Sequence, residues 1–244
     1  MSNFKEDHEA FKMKPSISFI IPALNEEQNL ATVVKEVLGV LDDLFRAYEI
    51  LIFDDGSNDA TGEVADRLAE ENENIRVIHN GANRGFGYNY REGVRLSKYD
   101  YIIMVPGDNE VPGSSIKAIL SRLGSADIII PYMINKEVRS LFRRIISRTT
   151  ITFVNLLFGL NIRYYNGPVL HKSEIIKSIP LTTDSFAYQI EALVRLLKSG
   201  YSYTEVGFNI QIRVYGKTKT FRLKNVINVI TTLFRLCREI NFNR

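Results

Sequence analysis

The chain has 244 residues, of which 45% are hydrophobic and 24% charged, and its formal net charge is +3. These values fit one globular domain with or without an added tail. Cys237 is the single cysteine, which excludes an internal disulfide and fits a reducing, cytoplasmic setting.

Two stretches bear on targeting. Residues 1–14 mix acidic residues, Lys and His without an apolar core, so we expect no signal peptide. The longest apolar stretch, residues 149–160, is shorter than the roughly 20 residues that a spanning helix needs. We therefore expect no transmembrane segment.

The first half alternates between two hydrophobic patterns. Short apolar runs predict strands buried on both faces, at residues 17–21, 48–53, 75–79, 101–105 and 127–131. Apolar residues at helical spacing predict helices between them, at residues 29–44, 61–71, 88–96 and 116–123. This alternation predicts an α/β fold with a mostly parallel central sheet flanked by helices.

After residue 136 the pattern changes. Residues 138–160 predict one or two basic amphipathic helices, and residues 163–171 a loop and strand. A helix at 186–198, a strand at 203–214 and a final amphipathic helix at 223–240 follow. Basic residues crowd this half, and such clusters either face solvent or meet phosphates and anionic lipid.

Ligands bind parallel α/β sheets at the carboxyl ends of the strands. Here the predicted strand ends, at residues 22–26, 54–59, 83–87 and 106–110, are all polar or rich in glycine. Asp54 and Asp55 directly follow an apolar strand, where paired carboxylates are costly unless a ligand or cation engages them. The alternative is an Asp-Gly turn that caps the next helix.

Two further segments fit a diphosphate. Asp108 and Glu110 offer hard oxygen ligands to Mg²⁺ or Mn²⁺, which would neutralise a diphosphate, although a polar turn explains them too. Residues 83–87 place two glycines and a cation before a helix, so that backbone amides can face a phosphate.

Together these segments resemble the family 2 glycosyltransferases of the GT-A fold. The motifs that carry the resemblance lie in residues 16–131 and are Ile20-Ile21-Pro22-Ala23-Leu24-Asn25-Glu26-Glu27, Asp54-Asp55-Gly56-Ser57-Asn58-Asp59-Ala60-Thr61, Asn83-Arg84-Gly85-Phe86-Gly87 and Gly107-Asp108-Asn109-Glu110. The resemblance implies a nucleotide diphosphate-sugar donor, bound by Pro22, Ala23, Asn25, Glu26, Asp54, Asp55, Arg84, Gly85, Gly107 and Asp108. It also implies a Mg²⁺ or Mn²⁺ ion on Asp108, with Glu110 as a second ligand.

The second half is similar to the polyprenyl-phosphate branch of that family, typified by dolichyl-phosphate mannose synthase. The similarity rests on residues 140–148, on Phe186-Ala187-Tyr188-Gln189-Ile190-Glu191 and on residues 213–219. It implies that a lipid phosphate is bound by Arg143, Arg148, Arg213 and Lys219. Arg139 is instead interpreted as part of a solvated helix face.

Two segments depart from the family pattern. Pro106 stands where the Asp-x-Asp motif has its first carboxylate, which removes one possible metal ligand. Residues 164–168 replace an expected Ser-Gly-Phe-Arg-like stretch.

The resemblance implies inverting transfer of a hexose, catalysed with Asp108. A lipid phosphate is already an anion and needs no general base, whereas a hydroxyl acceptor needs one, for which Glu191 or Asp184 is the candidate. Three alternatives stay open: a saccharide or other hydroxyl acceptor, a sugar nucleotidyltransferase and a non-catalytic nucleotide-sugar-binding protein. A nucleotidyltransferase is expected to carry a basic glycine-rich loop where this chain has residues 22–27.

We expect an N-terminal extension at residues 1–15 and a glycosyltransferase domain at 16–220, followed by an amphipathic helix at 221–244. Within the domain, residues 16–131 bind the nucleotide-sugar and residues 132–220 the acceptor. We expect a peripheral position on the cytoplasmic face of a membrane and no nucleic-acid partner. A homo-oligomer or a partner membrane protein stays open.

Overall fold

A computed structural model describes residues 14–41, 44–213, 215 and 223–242. The predicted acceptor residue Lys219 and most of the predicted N-terminal extension lie outside the described residues.

One mixed sheet forms the centre of the fold. Its strands are β1 (Ser16–Ala23), β2 (Ala47–Asp54), β3 (Ile75–His79), β4 (Tyr101–Met104), β5 (Ile128–Met133), β6 (Leu170–Lys172) and β7 (Tyr203–Phe208). They lie side by side in the order β3-β2-β1-β4-β6-β5-β7. All neighbouring pairs are parallel except those of β6, which runs antiparallel to β4 and to β5. The predicted α/β class and mostly parallel sheet are confirmed.

Helices cover both faces of this sheet. They are α1 (Leu30–Leu38), α2 (Thr61–Glu71), α3 (Phe86–Leu96), α4 (Gly113–Leu120), α5 (Leu141–Phe158), α6 (Ser173–Lys177), α7 (Tyr188–Lys198) and α8 (Leu223–Phe242), with a 3₁₀ turn at Lys136–Val138. None of these helices is both long and apolar enough to cross a bilayer, over the residues that the structure describes.

Alternation along the central strand divides the core. On β1, Ile17, Phe19 and Ile21 point to the face covered by α1, α2 and α4. Ile20 points to the opposite face, which is covered by α3, α5, α6, α7 and α8. Because both faces of the central strands are buried, these strands are nearly continuous apolar runs.

Two predicted elements run about six residues beyond their observed ends. The first helix ends at Leu38, and beyond it the N–H groups of Val40 and Leu41 donate three residues back, to Val37 and Leu38, instead of four. Val40 and Leu41 follow the helix and are buried in the core without being part of it. Because they are apolar, the sequence pattern included them in the predicted helix. The last strand ends at Phe208 rather than at residue 214.

The segment after β7 is held by side chains instead of by a neighbouring strand. We call residues 209–213 the strap. Ser115 Oγ accepts from the N–H of Asn209 (3.0 Å), and the side-chain amide of Asn135 pairs with both backbone groups of Ile210 (2.7 and 3.0 Å). The N–H of Gln211 then donates to the carbonyl of Glu110 (2.9 Å). These contacts carry the strap to the carboxyl end of β4.

Candidate active site

The carboxyl ends of β1, β2 and β4 lie side by side, as the sequence predicts. Ala23 accepts a backbone hydrogen bond from Asp55 (2.9 Å), and Pro22 accepts one from Gly107 (3.0 Å). A Cβ on Gly107 would stand 3.1 Å from the Cβ of Ala23, so glycine permits this close approach. The residues predicted to bind a nucleotide-sugar are thus brought to one edge of the sheet.

Asp54 is buried and engaged by neighbouring side chains. Its Oδ1 accepts from the N–H of Ser57 (3.1 Å), and its Oδ2 lies 3.1 Å from His79 Nδ1. Burial alone raises the pKa of Asp54, but hydrogen bonds from Ser57 and His79 outweigh it and lower that pKa. His79 also contacts Asp66 (3.0 Å), and these two carboxylates raise the pKa of its imidazole. Asp54 is therefore held as a carboxylate.

Asp55 holds the glycine loop, which we define as residues 83–87. One oxygen accepts from the side chain of Asn80 (2.9 Å) and from the N–H of Arg84 (2.8 Å), and the other accepts from the N–H of Gly85 (3.0 Å). Two backbone amides of the loop that was predicted to face a phosphate, those of Arg84 and Gly85, thus donate to Asp55. The guanidinium of Arg84 lies over the ring of Tyr88, at 4.5 Å from its centroid.

The glycine loop also packs against the loop that precedes α7. Gly85 adopts a φ of 94°, and the N–H of Gly87 donates to the carbonyl of Asp184 (3.1 Å). A Cβ on Gly87 would collide with the carbonyl oxygen of Thr183. Both glycines are therefore needed for backbone geometry and close approach.

Glu26, Asp108 and Arg213 meet at the ends of β1 and β4. Arg213 Nη2 lies 2.7 Å from Glu26 Oε1 and 2.9 Å from Asp108 Oδ2. The other oxygen of Glu26 accepts from Asn29 (2.7 Å), and the other oxygen of Asp108 accepts from the N–H of Glu110 (3.1 Å). The strap thus places the guanidinium of Arg213 on Asp108, the carboxylate that the sequence predicts to bind a metal ion.

Glu110 faces a second arginine. Arg139 Nη2 lies 3.5 Å from Glu110 Oε2, while its Nη1 donates to Tyr164 Oη (3.0 Å). Burial and then the charge of Asp108 raise the pKa of Glu110, against the charges of Arg139, Arg213 and Arg143. The interpretation of Arg139 as a solvated residue was wrong, because it precedes the helix cap Ser140 and turns toward the site.

Asp108 and Glu110 fit a hard divalent cation that takes its other ligands from a diphosphate and water. Mg²⁺ is commonly held by one or two carboxylates together with substrate phosphates. The two carboxylates here disfavour each other's charge, and a guanidinium lies on each of them. Within the described residues, no group of three or more His, Cys, Asp or Glu side chains forms a metal cluster.

The predicted acceptor residues are distributed unevenly. Arg143 lies close enough to Glu110 for its charge to act on that carboxyl, and Arg213 lies within the site. Arg148 is exposed farther along α5. Asn25, with a φ of 57°, accepts at its side-chain oxygen from the N–H of Asn58 (2.9 Å) and so fastens the end of β1 to the loop after β2.

Glu191 is fully buried. Its carboxylate accepts from the N–H groups of Thr182 (3.0 Å) and Thr183 (2.9 Å) and from the hydroxyl of Thr182 (2.6 Å). Arg195 and Arg235 each approach it at 3.2 Å. Burial raises the pKa of Glu191, but the threonine hydrogen bonds and Arg195 outweigh it and lower that pKa. This carboxylate joins α7, α8 and the loop before α7.

Residues 18–176, more than half of the chain, match the family described as glycosyl transferase family 2. The chain belongs to this family. Its sequence is 30% identical over 215 residues to a polyprenol monophosphomannose synthase of Mycolicibacterium smegmatis, covering 82% of this chain and 79% of that protein. It is 25% identical over 214 residues to an undecaprenyl-phosphate mannosyltransferase of Micrococcus luteus, covering 82% and 85%.

The fold of this family 2 glycosyltransferase also resembles solved structures. Glucosyl-3-phosphoglycerate synthase from Mycobacterium tuberculosis, in complex with Mn²⁺, UDP and phosphoglyceric acid, superposes with a TM-score of 0.73 at 17% identity. The match covers 95% of this chain and 82% of that one. The predicted GT-A fold is therefore confirmed.

Proposed function

We propose that this glycosyltransferase transfers a hexose, with inversion, from a nucleotide diphosphate-sugar to a polyprenyl phosphate at a membrane surface. The observation that carries the proposal is the placement of α5. This helix begins beside Glu110, with Arg143 near the acidic site, and turns apolar side chains outward along its length. The names of the two relatives specify polyprenol and undecaprenyl-phosphate chemistry, which supports the same acceptor.

On the donor side, the nucleotide-sugar lies across the ends of β1, β2 and β4. Pro22, Ala23, Asn25, Glu26, Asp54 and Asp55 form the nucleoside end of this surface, and Arg84, Gly85 and Gly107 border the diphosphate. Asp54 and Asp55 are fixed by His79 and by the glycine loop, so they meet the ligand in one orientation. Such preorganisation lowers the ordering cost of binding.

Asp108 and Glu110 would hold Mg²⁺ or Mn²⁺. When bound there, the cation supplies positive charge that neutralises the departing diphosphate. The pairing of Asp108 with Arg213 supports this assignment, because it marks the position as one where a cation is favoured.

The acceptor phosphate is positioned by arginines. Of the predicted set, Arg143 and Arg213 lie nearest the acidic site, Arg148 lies farther along α5, and Lys219 is the fourth member. Arginines bind phosphate through charge-assisted hydrogen bonds. A phosphate oxygen forms a bond to the anomeric carbon as the bond from that carbon to the diphosphate oxygen breaks. The nucleoside diphosphate leaves with the electron pair.

A hydroxyl acceptor would require a general base, and both candidates for that role are engaged elsewhere. Glu191 accepts hydrogen bonds on both oxygens, and its pKa is lowered. Asp184 lies 2.7 Å from Arg91 on the surface. A phosphate, which is an anion at neutral pH, fits this site better than a hydroxyl.

The membrane contact is proposed for the outward face of α5. One stripe of this helix carries five apolar side chains at helical spacing, each more than half exposed: Leu141, Phe142, Ile145, Phe153 and Leu156. Leu156 is the most exposed of them, at 79%. The stripe spans roughly 22 Å at 1.5 Å per residue. Globular proteins normally place polar residues on such a face.

Helix α8 packs beside α5 and carries exposed apolar residues of its own. It shares a core with α5 through Val154 and Leu236, and it exposes Ile230 and Phe234. Arg144 and Arg148 are exposed on α5 beside the apolar stripe. Apolar side chains flanked by arginines match an interfacial helix on anionic lipid. A polyprenyl chain is costly to extract, at about 0.8 kcal/mol per CH₂, so the enzyme is expected to come to the bilayer.

Vesicle binding tests this face. Wild-type protein should co-sediment with vesicles of phosphatidylglycerol and phosphatidylcholine, and Leu156→Glu should bind at least tenfold more weakly. Leu44→Glu is the matched control, because Leu44 is exposed beyond α1 and away from α5 and α8. Equal binding of all three proteins would rule out docking through α5.

The acceptor is tested with a pair of lipids that differ in one group. Polyprenyl phosphate in vesicles should accept labelled sugar, whereas the corresponding polyprenol should not. Arg143→Ala should lower turnover on the phosphate at least tenfold, while Arg67→Ala, an exposed residue of α2, should leave it unchanged. Transfer to polyprenol or a saccharide, undiminished in Arg143→Ala, would instead support a hydroxyl acceptor. No transfer to either class would favour a nucleotide-sugar-binding protein.

A further inference from the structure

Arg213 joins two acidic residues that belong to different strand ends. Its Nη2 contacts both Glu26 (2.7 Å) and Asp108 (2.9 Å), and its side chain is largely buried. Its Nε is buried as well and has no hydrogen-bond partner within the described part of the chain. Among the described residues, the guanidinium therefore neutralises two carboxylates while its Nε has no acceptor, which is a costly arrangement for a buried group.

The strap explains how Arg213 reaches this position. Ser115 and Asn135 fix residues 209 and 210, and Gln211 Nε2 donates to the backbone (2.7 Å) and side-chain (3.0 Å) oxygens of Asn109. Arg213 lies two residues beyond this last anchor. Its long side chain can thus change partners while the anchored part of the strap stays in place.

Arg213 and a divalent cation compete for the same oxygen. Asp108 Oδ1 accepts from the N–H of Glu110, and Oδ2 faces Arg213. A cation bound to Asp108 would lie about 2.0–2.6 Å from that carboxylate. The guanidinium and the cation would then be neighbouring like charges, so occupancy by one opposes occupancy by the other.

We propose that Arg213 is a latch that changes partners during the reaction cycle. Before ligands bind, it neutralises Glu26 and Asp108. When the donor and its cation take Asp108, the guanidinium is released and binds the acceptor phosphate, which also supplies an acceptor for Nε. Cation binding and acceptor binding are therefore positively coupled through one side chain. The acceptor half of this cycle rests on the proposed function.

Cation affinity tests the competition without any turnover. We expect Arg213→Met to bind Mn²⁺, measured by electron paramagnetic resonance, about fivefold or more tightly than the wild type, within the usual range of coupling. Arg163→Met is the matched control and should bind like the wild type, because Arg163 pairs with Glu205 on β7. Unchanged or weaker binding in Arg213→Met would overturn the latch.

A second measurement on the wild type does not depend on the variant folding. Farnesyl phosphate should raise the Mn²⁺ affinity of the wild type, farnesol should not, and Arg213→Met should lack the effect. No effect of farnesyl phosphate on the wild type would overturn the coupling. The latch and the proposed function can fail separately. An effect of farnesyl phosphate on Mn²⁺ affinity without glycolipid synthesis would refute the proposed function alone. Glycolipid synthesis without that effect would refute the latch alone.

Discussion

Replacing Glu191 by Gln separates a structural from a catalytic role for this buried carboxylate. Its Oε1 accepts from the Thr182 hydroxyl, Arg195 and Arg235, and its Oε2 accepts from two backbone N–H groups. A glutamine must place its NH₂ at one of these positions, where it faces other donors in either orientation. The substitution therefore leaves buried donors unpaired. It also removes one of the two carboxylates that face Arg195 and Arg235, the other being Glu239.

The expected cost follows from the burial of this network. Breaking a buried ion pair costs about 3–5 kcal/mol, and Arg235 is partly exposed, so we expect a loss of about 3 kcal/mol in the free energy of unfolding. For a chain of this size this corresponds to a Tm lower by about 6–12 °C. Asp184→Asn is the control, because its side chain is 58% exposed in a surface ion pair worth at most about 1 kcal/mol.

Thermal unfolding and steady-state kinetics, measured on the same samples, distinguish the two roles. If Glu191 is structural, Glu191→Gln loses stability, while kcat per folded molecule falls less than tenfold. If Glu191 is a general base, kcat falls by about 10²–10⁴-fold. A Tm within 2 °C of the wild type together with such a loss of kcat would refute the structural reasoning.

Three further predictions concern other parts of the molecule. Gly87→Ala should destabilise the fold by about 1–3 kcal/mol, because its Cβ would collide with Thr183, whereas Gly81→Ala, with nothing within 4 Å, should be neutral in urea unfolding. His171, fully buried with a pKa lowered by burial to about 3, stays neutral when folded, so the unfolded chain binds more protons below pH 6.5. Stability should then fall by about 2 kcal/mol from this residue between pH 6.5 and pH 5, and His171→Asn should remove that slope. Asp55→Asn should raise the KM for the donor, because it loosens the glycine loop.

Equal stability of the Gly87 and Gly81 variants would show that the loop before α7 yields readily. An unchanged pH slope in the His171 variant would assign the acid sensitivity to carboxylates. An unchanged KM in Asp55→Asn, measured with the preferred donor, would mean that Asp55 neither contacts the nucleoside nor positions the loop that does.

The sequence predicts the fold of residues 16–131 well because each signal there is local. An apolar run followed at once by Asp54 and Asp55 predicts both a buried strand and its polar carboxyl end. Parallel pairing of the strands then brings their carboxyl ends to one edge of the sheet. The four polar strand ends could therefore be predicted to converge before any contact between them was known.

Residues 132–213 are harder to predict because their contacts join residues that are distant along the chain. Arg213 meets Glu26 across 187 positions, through a strap whose backbone is bound mainly by side chains and not by a neighbouring strand. The apolar residues of the strap extended the predicted strand to residue 214. Alternation of apolar and polar residues does not show whether a neighbouring strand is present to pair with the backbone. The prediction for Arg139 failed because it assumed that Arg139 lies on the exposed face of α5. Arg139 in fact precedes that helix and contacts Glu110.

The most direct test of the account is the chemical identity of the product. Purified enzyme, labelled nucleotide sugars, Mn²⁺ and polyprenyl phosphate in vesicles should yield a lipid that mass spectrometry identifies as polyprenyl phosphate joined to one hexose. Nuclear magnetic resonance should find the anomeric configuration inverted relative to the donor. Retained configuration, or no such glycolipid with any common donor, would contradict the proposed reaction.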